Sequence, residues 1–370
     1  MGLDSSREAT DEEIEVMCHL LDESLASGCK GLSSGLYYAP CTFASEKELL
    51  SLLSVVKKHD AFFAVHHRCE GNDIIESVKE VLSLAKQTGV RLEISHLKVI
   101  GKKNRDKLDT VISLIEEARK DGLDVAFDQY PYAYGSTSLF SLLPPSALRL
   151  SRNELRFALS LDAERKEYAS EMLSPKGWDS IYEMVGPDEI TILELEHHKE
   201  VEGLTLTEVG KRMKTDPLSA LFDLLSDESG SALMMDVTED EESLEKILRH
   251  PLMCFGTDAL YSSPRPHPRS FSGAFHLLYR YGIEKKVLPL ETLINRMSGE
   301  GAKRLGLKDR GLIKESYAAD ILLLDLEKLK DTAEPGKTFV KNEGLVMTMV
   351  NGVVVVENGL ANGNIAGTLL

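Results

Sequence analysis

Two histidines stand where predicted strands end. AFFAVHH (61–67) and RLEISH (91–96) are runs rich in apolar and β-branched residues, and they carry His66 and His96 at or near their ends. Adjacent parallel strands lie about 4.8 Å apart, so both imidazoles can reach one cation between them. A histidine at a strand end is often only structural, and that interpretation stays open. Equivalent positions in consecutive βα units nevertheless favour a metal site.

A carboxylate and two cationic side chains extend this pattern. PLMCFGTDA (251–259) predicts another strand, which ends at Asp258. In a closed barrel the strand ends face one opening, where a metal lowers the pKa of water and an aspartate moves protons. Lys98 follows His96 by two residues, and Arg269 lies in the loop after Asp258 with a guanidinium that suits a carboxylate. The pattern therefore indicates metal-assisted hydrolysis.

The first 130 residues alternate predicted strands with predicted helices. Capping boxes at Thr10 and Ser45 open two of the helices, and Gly89 suits the end of another. Alternation of this kind predicts parallel βαβ units. No glycine-rich phosphate loop follows a strand, which disfavours a dinucleotide fold and favours a TIM-like (β/α) barrel. The strands are predicted at 30–36, 61–67, 91–96 and 124–130, and the later helices at 45–59, 73–89 and 109–122.

The rhythm changes after residue 134. We expect βα units of the barrel at 1–134, an insertion or lid over the strand ends at 135–250, and the last barrel strand and helix at 251–310. The insertion shows one strand pattern, at 189–195, and a helix is predicted near 289–305. Residues 311–370 are β-rich and contain the hairpin signal Asn351-Gly352, which predicts a small β-domain.

Composition limits the partners. With 60 acidic and 43 basic residues the formal charge is −17, so nucleic acid is an unfavourable partner. No apolar run reaches the roughly 18–20 residues that span a bilayer, so we expect no membrane association. The five cysteines show no CxxC spacing, which favours a reducing compartment and a cytoplasmic location.

Several motifs together resemble one enzyme family. GLSSGLYYAP, FAVHHRCEG, EISHLK, DQYPYAYGST, FGTDA with HPR, and AADILLLDL with VNGVVVVENG keep their order along nearly the whole chain. They resemble the N-acyl-D-amino-acid deacylases (D-aminoacylases) of the amidohydrolase superfamily. The resemblance implies a TIM-like barrel, a small β-domain, and zinc-dependent hydrolysis of the amide bond of a small-molecule N-acyl-D-amino acid.

The resemblance also implies roles for individual residues. His66 and His96 correspond to zinc ligands, and Asp258 corresponds to the catalytic acid/base. The residues that would hold the substrate carboxylate and carbonyl are Lys98, Tyr130, Ser136 and Arg269.

The sequence departs from the family in its first part. No His-x-His motif of the family's kind precedes His66, and neither Cys18 nor Cys29 lies where the family has its zinc-binding cysteine. We therefore expect an incomplete barrel, with about five of the eight strands. One alternative function is an N-terminally truncated, catalytically inactive fragment or a partner-binding subunit. Another is a hydrolase that acts on a different amide.

Overall fold

The computed structural model describes residues 6–228, 232–261 and 265–370. The chain divides into two compact units. The first contains the residues up to Ala126 together with Ala133–Leu244, and the second contains Phe127–Tyr132 together with Glu245–Leu370. Strand β4, Val125–Gln129, begins in the first unit and ends in the second.

The first unit begins with four βα repeats, as the sequence predicts. Its strands run parallel in chain order, with Phe62 of β2 beside Gly31 of β1 and Arg91 of β3. The helices are α1 Asp11–Ala26, α2 Glu46–Lys58, α3 Ile74–Thr88 and α4 Lys107–Lys120, and the strands are β1 Gly31–Gly35, β2 Phe62–His66, β3 Arg91–Ile94 and β4 Val125–Gln129.

Local signals set the helix ends. The Thr10 side chain accepts a hydrogen bond from Glu13 N, and the Glu13 carboxylate accepts one from Thr10 N, which completes a capping box. Ser45 caps α2 through Glu48 N. Gly89 ends α3 in the left-handed conformation (φ 68°), which glycine adopts without a Cβ penalty.

The segment after β4 adds helices and a second sheet to the first unit. Its three strands are antiparallel in the order β5-β7-β6, and only β6 was evident from the sequence. Around this sheet a large apolar core includes Phe140, Ile192 and Phe222. The elements are β5 Tyr134–Ser138, α5 Pro145–Leu148, α6 Arg152–Ala158, α7 Asp162–Leu173, α8 Ile181–Val185, β6 Ile190–Glu194, α9 Leu206–Met213, α10 Pro217–Asp227, β7 Leu233–Val237 and α11 Glu241–Arg249.

The second unit contains one parallel strand pair and a small antiparallel sheet. Phe127 in the last part of β4 pairs with Met253 of β8, Met253–Phe255. Helix α12, Arg269–His276, continues as a π-helix over Leu277–Glu284. The helix predicted near 289–305 is two helices, α13 Leu290–Met297 and α14 Gly299–Arg304, because Ser298 leaves helical geometry (φ −134°).

The C-terminal residues form the predicted β-domain. Its strands are ordered β12-β11-β10-β9, and Asn351 (φ 47°) with Gly352 (φ 80°) makes the expected tight turn between β10 and β11. The strands are β9 Ile321–Leu324, β10 Leu345–Val350, β11 Val353–Glu357 and β12 Leu360–Ala361. Five parallel strands with their helices and this sheet confirm the predicted partial barrel with a small β-domain.

No helix in the described ranges combines the length and the apolar character that crossing a bilayer requires.

Candidate metal centre

The two strand-end histidines meet. His66 is the last residue of β2, and His96 lies two residues beyond β3 with a positive φ of 37°. Their ring centres are 4.6 Å apart, and His66 Nδ1 lies 3.0 Å from His96 Nε2. Two nitrogen ligands at 2.0–2.1 Å from a tetrahedral zinc ion lie about 3.3 Å apart. The pair therefore fits a zinc ion, and the role of both residues as ligands stays a prediction.

A glutamate without a predicted role joins them. Glu70 is buried in the turn after β2, and its Oε1 lies 3.2 Å from His96 Nδ1. Its Oε2 lies 3.8 Å from His66 Nε2. Donor atoms of His66, Glu70 and His96 lie within 4.8 Å of one another. The sequence signal for Glu70 is its position, four residues after His66 and just past a strand end.

Lys98 belongs to the same cluster. Its Nζ donates to Glu70 Oε1 at 2.6 Å and to His96 O at 3.2 Å, and it lies 2.9 Å from His96 Nδ1. An ammonium group has three N–H donors, and two oxygen acceptors, Glu70 Oε1 and His96 O, bind this one. A substrate carboxylate, as the resemblance implies for Lys98, would share the ammonium group with these oxygens. Its substrate role stays a prediction.

Burial and charge set the protonation of the cluster. Burial lowers the pKa of His66 well below its ordinary value, although Glu70 opposes this, so His66 is the neutral imidazole that metals bind. Burial alone would raise the pKa of Glu70, but Lys98, His66 and His96 together hold it well below the usual range. His66 Nε2 is buried and has no hydrogen-bond partner among the described residues. The nitrogen of this neutral imidazole that faces His96 is Nδ1, and it is the one that suits a shared cation.

An aspartate from the segment after β4 fixes the turn that carries Glu70. The buried carboxylate of Asp179 accepts hydrogen bonds from Gly71 N at 2.6 Å and from Asn72 N at 2.9 Å. Burial raises the pKa of Asp179, and the backbone donors oppose that shift. The segment after β4 thus helps to position the turn that carries Glu70, although more than 100 residues separate the two in sequence.

Replacing Asp179 by alanine is expected to reduce the free energy of unfolding by about 2–4 kcal/mol, because it leaves the backbone donors of Gly71 and Asn72 without their carboxylate. Urea denaturation followed by circular dichroism measures the change. Asp121→Ala, which removes an exposed carboxylate at the end of α4, is the matched control and should change stability by less than about 0.5 kcal/mol. Equal stabilities of the two variants would contradict the assigned role of Asp179.

Three of the predicted site residues meet in the second unit. Asp258 lies three residues beyond β8 in a left-handed conformation (φ 45°). Its Oδ2 lies 2.8 Å from the Arg269 guanidinium, which is almost completely buried. The guanidinium carbon lies 4.5 Å from the centre of the Tyr130 ring, an attractive cation–π geometry. The expected roles of these residues in proton transfer and substrate binding stay predictions.

Ser136 lies on β5 beside Met235 of β7. The next residue, Thr137, contacts the Tyr38 hydroxyl at 3.0 Å. Because side chains alternate along a strand, Ser136 points to the opposite face from this contact. Its predicted role in binding the substrate carbonyl likewise stays a prediction.

A cavity of about 500 Å³ lies within the first unit. Tyr37 and Tyr38 line it, and their ring centres lie 5.8 and 5.0 Å from that of His66. Its wall also includes Trp178 and Arg152, whose guanidinium carbon lies 3.5 Å from the centre of the Phe140 ring. Cavities that bind small molecules have volumes of about 300–1,000 Å³ and mostly apolar walls with a few polar groups. This cavity matches that description.

The chain is similar to known amidohydrolases along most of its length. Residues 2–356 match the Amidohydrolase family. The chain is 28% identical to a D-aminoacylase of Alcaligenes xylosoxydans xylosoxydans over 99% of this chain and 66% of that relative. It is 29% identical to an N-acyl-D-aspartate deacylase of the same organism over 94% of this chain and 61% of that relative.

A solved structure shares the fold. It is that of N-acyl-D-glutamate deacylase from Bordetella bronchiseptica with zinc and a phosphonate inhibitor. The TM-score is 0.79 at 26% identity, over 95% of this chain and 64% of that chain. The present chain thus spans less than two thirds of each of these three proteins.

Proposed function

Because the chain belongs to the amidohydrolase family, we propose that it is a zinc-dependent hydrolase that cleaves the amide bond of N-acyl-D-amino acids. The observation that carries this proposal is the contact of His66 Nδ1 with His96 Nε2 at 3.0 Å, at the ends of two adjacent parallel strands. The similarity to a D-aminoacylase and an N-acyl-D-aspartate deacylase supports the substrate class.

His66 and His96 would hold the zinc ion, with the Glu70 carboxylate beside them. When bound, zinc supplies a Lewis acid that lowers the pKa of water in the site and polarises the amide carbonyl. Burial keeps His66 neutral, so no proton has to leave this ring before the ion binds.

Asp258 would carry the proton during hydrolysis. Its carboxylate accepts a proton from water as the oxygen forms a bond to the carbonyl carbon, and it passes this proton to the amine nitrogen as the C–N bond breaks. The buried guanidinium of Arg269 at 2.8 Å fixes the orientation of this carboxylate. Arg269 and Lys98 would bind the substrate carboxylate, and Tyr130 and Ser136 would bind its carbonyl, as the resemblance implies.

The cavity lined by Tyr37 and Tyr38 would receive the apolar part of the substrate. Its aromatic wall, formed by Tyr37, Tyr38 and Trp178 among others, suits an acyl chain or an apolar side chain. This supports a small organic molecule as the partner of the site.

A reducing, cytoplasmic location is also part of the proposal. Cys18, Cys29, Cys41 and Cys69 are free thiols, and Cys69 lies in the interior. Unpaired cysteines are typical of proteins in reducing compartments.

Release of free D-amino acid from N-acetyl-D-methionine tests the proposed function. We expect zinc-loaded protein to hydrolyse the D-enantiomer and to leave N-acetyl-L-methionine unchanged. A chelator should remove the activity, and added zinc should restore it, because the metal supplies the Lewis acid. If folded, zinc-loaded protein releases no amino acid, the catalytically inactive alternative from the sequence is the better interpretation.

A further inference from the structure

One oxygen of Glu70 contacts both Lys98 and His96. Oε1 accepts from Lys98 Nζ at 2.6 Å and lies 3.2 Å from His96 Nδ1, whereas Oε2 lies farther from His66 Nε2, at 3.8 Å. Glu70 is 6% exposed, so these contacts are shielded from water. The carboxylate therefore acts mainly on His96 and Lys98.

The position of Lys98 indicates which nitrogen of His96 faces the metal. The ammonium group lies 2.9 Å from Nδ1, and a divalent cation at that nitrogen would meet strong repulsion. Nε2 points the other way, toward His66 Nδ1 at 3.0 Å. The nitrogen of His96 that would bind the metal is thus Nε2.

An imidazole that binds a metal through Nε2 carries its proton on Nδ1, and that N–H needs an acceptor. Glu70 Oε1 lies within reach of it. Carboxylates in this position fix the tautomer and orientation of a metal-binding histidine. On the basis of the zinc site in the proposed function, we propose that Glu70 is a positioning residue. Glu70 orients His96 for the metal and holds Lys98 beside His96, and Glu70 does not ligate the metal itself.

Glu70 is held rigidly enough for this role. Asp179 binds the backbone N–H groups of the next two residues, Gly71 and Asn72. These bonds fix the backbone of the turn, and a Glu70 carboxylate that turned away from His96 would lose its own buried hydrogen bond with Lys98 Nζ.

The experiment is a competitive zinc titration of the full chain with a chromogenic chelator, without substrate. We expect Glu70→Gln and Glu70→Ala to raise the Kd for zinc about 10- to 100-fold and still to bind one equivalent at saturation. Imidazole ¹⁵N NMR of the zinc-loaded wild-type protein should show His96 protonated at Nδ1. Both readouts are independent of hydrolysis, so an inactive but zinc-binding protein would refute the proposed function and leave the role of Glu70 intact.

Two further variants keep the experiment decisive. Glu80→Gln removes a carboxylate that pairs with Arg68 in the same unit, and it should leave the Kd within about twofold of wild type because, among the described residues, Glu80 pairs with Arg68 and not with the cluster. If Glu70→Gln alone does not fold, Glu70→Gln/Lys98→Met removes both buried charges together and should show the same loss of affinity. The inference is overturned if the Glu70 variants bind zinc with wild-type affinity or do not bind it at saturation. It is also overturned if His96 of the zinc-loaded wild-type protein is protonated at Nε2, or if the wild-type chain binds no zinc.

Discussion

Replacing His96 by alanine is expected to abolish zinc binding and to lower kcat/KM for N-acyl-D-amino acid hydrolysis by at least about 10³-fold. The imidazole is one of the two nitrogen donors that the structure places 3.0 Å apart, and one histidine beside a carboxylate holds zinc poorly. Loss of the Lewis acid removes several kcal/mol of transition-state stabilisation, which corresponds to the stated loss of rate. Zinc content by mass spectrometry and steady-state kinetics measure both effects.

The matched control is His59→Ala. His59 also lies in the first unit, directly after helix α2. Among the described residues its Nε2 pairs with Asp22 of helix α1 and not with the cluster. This variant should retain zinc and activity. A His96→Ala protein that keeps its zinc would show that the metal binds elsewhere.

Replacing Asp258 by asparagine is expected to lower kcat by about 10²- to 10⁴-fold, the usual contribution of a positioned acid/base group. Asparagine keeps the volume and can still accept a hydrogen bond from Arg269, but it cannot take up a proton. Zinc content and KM should therefore stay close to wild type. Steady-state kinetics at saturating zinc separate kcat from KM.

Asp325→Asn is the control for this charge change. Asp325 lies in the same unit and pairs with Lys328 on the surface, so its variant should be fully active. Wild-type kcat in Asp258→Asn would contradict the acid/base role. Loss of zinc in this variant would instead identify Asp258 as a ligand.

Local signals explain why the first four βα repeats could be predicted from the sequence. The Thr10 capping box and Gly89 mark helix ends through bonds within a few residues, and these ends appear where expected. Strands β5 (YGSTS) and β7 (LMMDV) gave no such signal, because glycine, serine, methionine and aspartate carry little strand preference. Their pairing partners, far away in the chain, determine their conformation.

The difference between local signals and long-range contacts also applies to the residues of the candidate metal site. His66 and His96 were evident because parallel strands align their ends at one edge of a sheet. Glu70 and Asp179 were not evident, because one lies in a turn without periodicity and the other reaches it from 109 positions further along the chain. Contacts over such distances leave no pattern in a single sequence.

The ion pairs of Lys98 and Arg269 could not be predicted for the same reason. The sequence indicated that Lys98 and Arg269 are cations near strand ends, which suits a substrate carboxylate. In the structure Lys98 contacts Glu70 at 2.6 Å and Arg269 contacts Asp258 at 2.8 Å. Each cation thus already has a carboxylate partner, and substrate binding must compete with that partner.

X-ray absorption spectroscopy of the zinc-loaded protein tests the metal site most directly. We predict one zinc ion per chain with two imidazole nitrogens at about 2.0–2.1 Å. His66→Ala should lose the bound zinc, as His96→Ala does, because one histidine remains. Zinc bound without imidazole scattering, or no bound zinc at all, would contradict a metal site formed by His66 and His96.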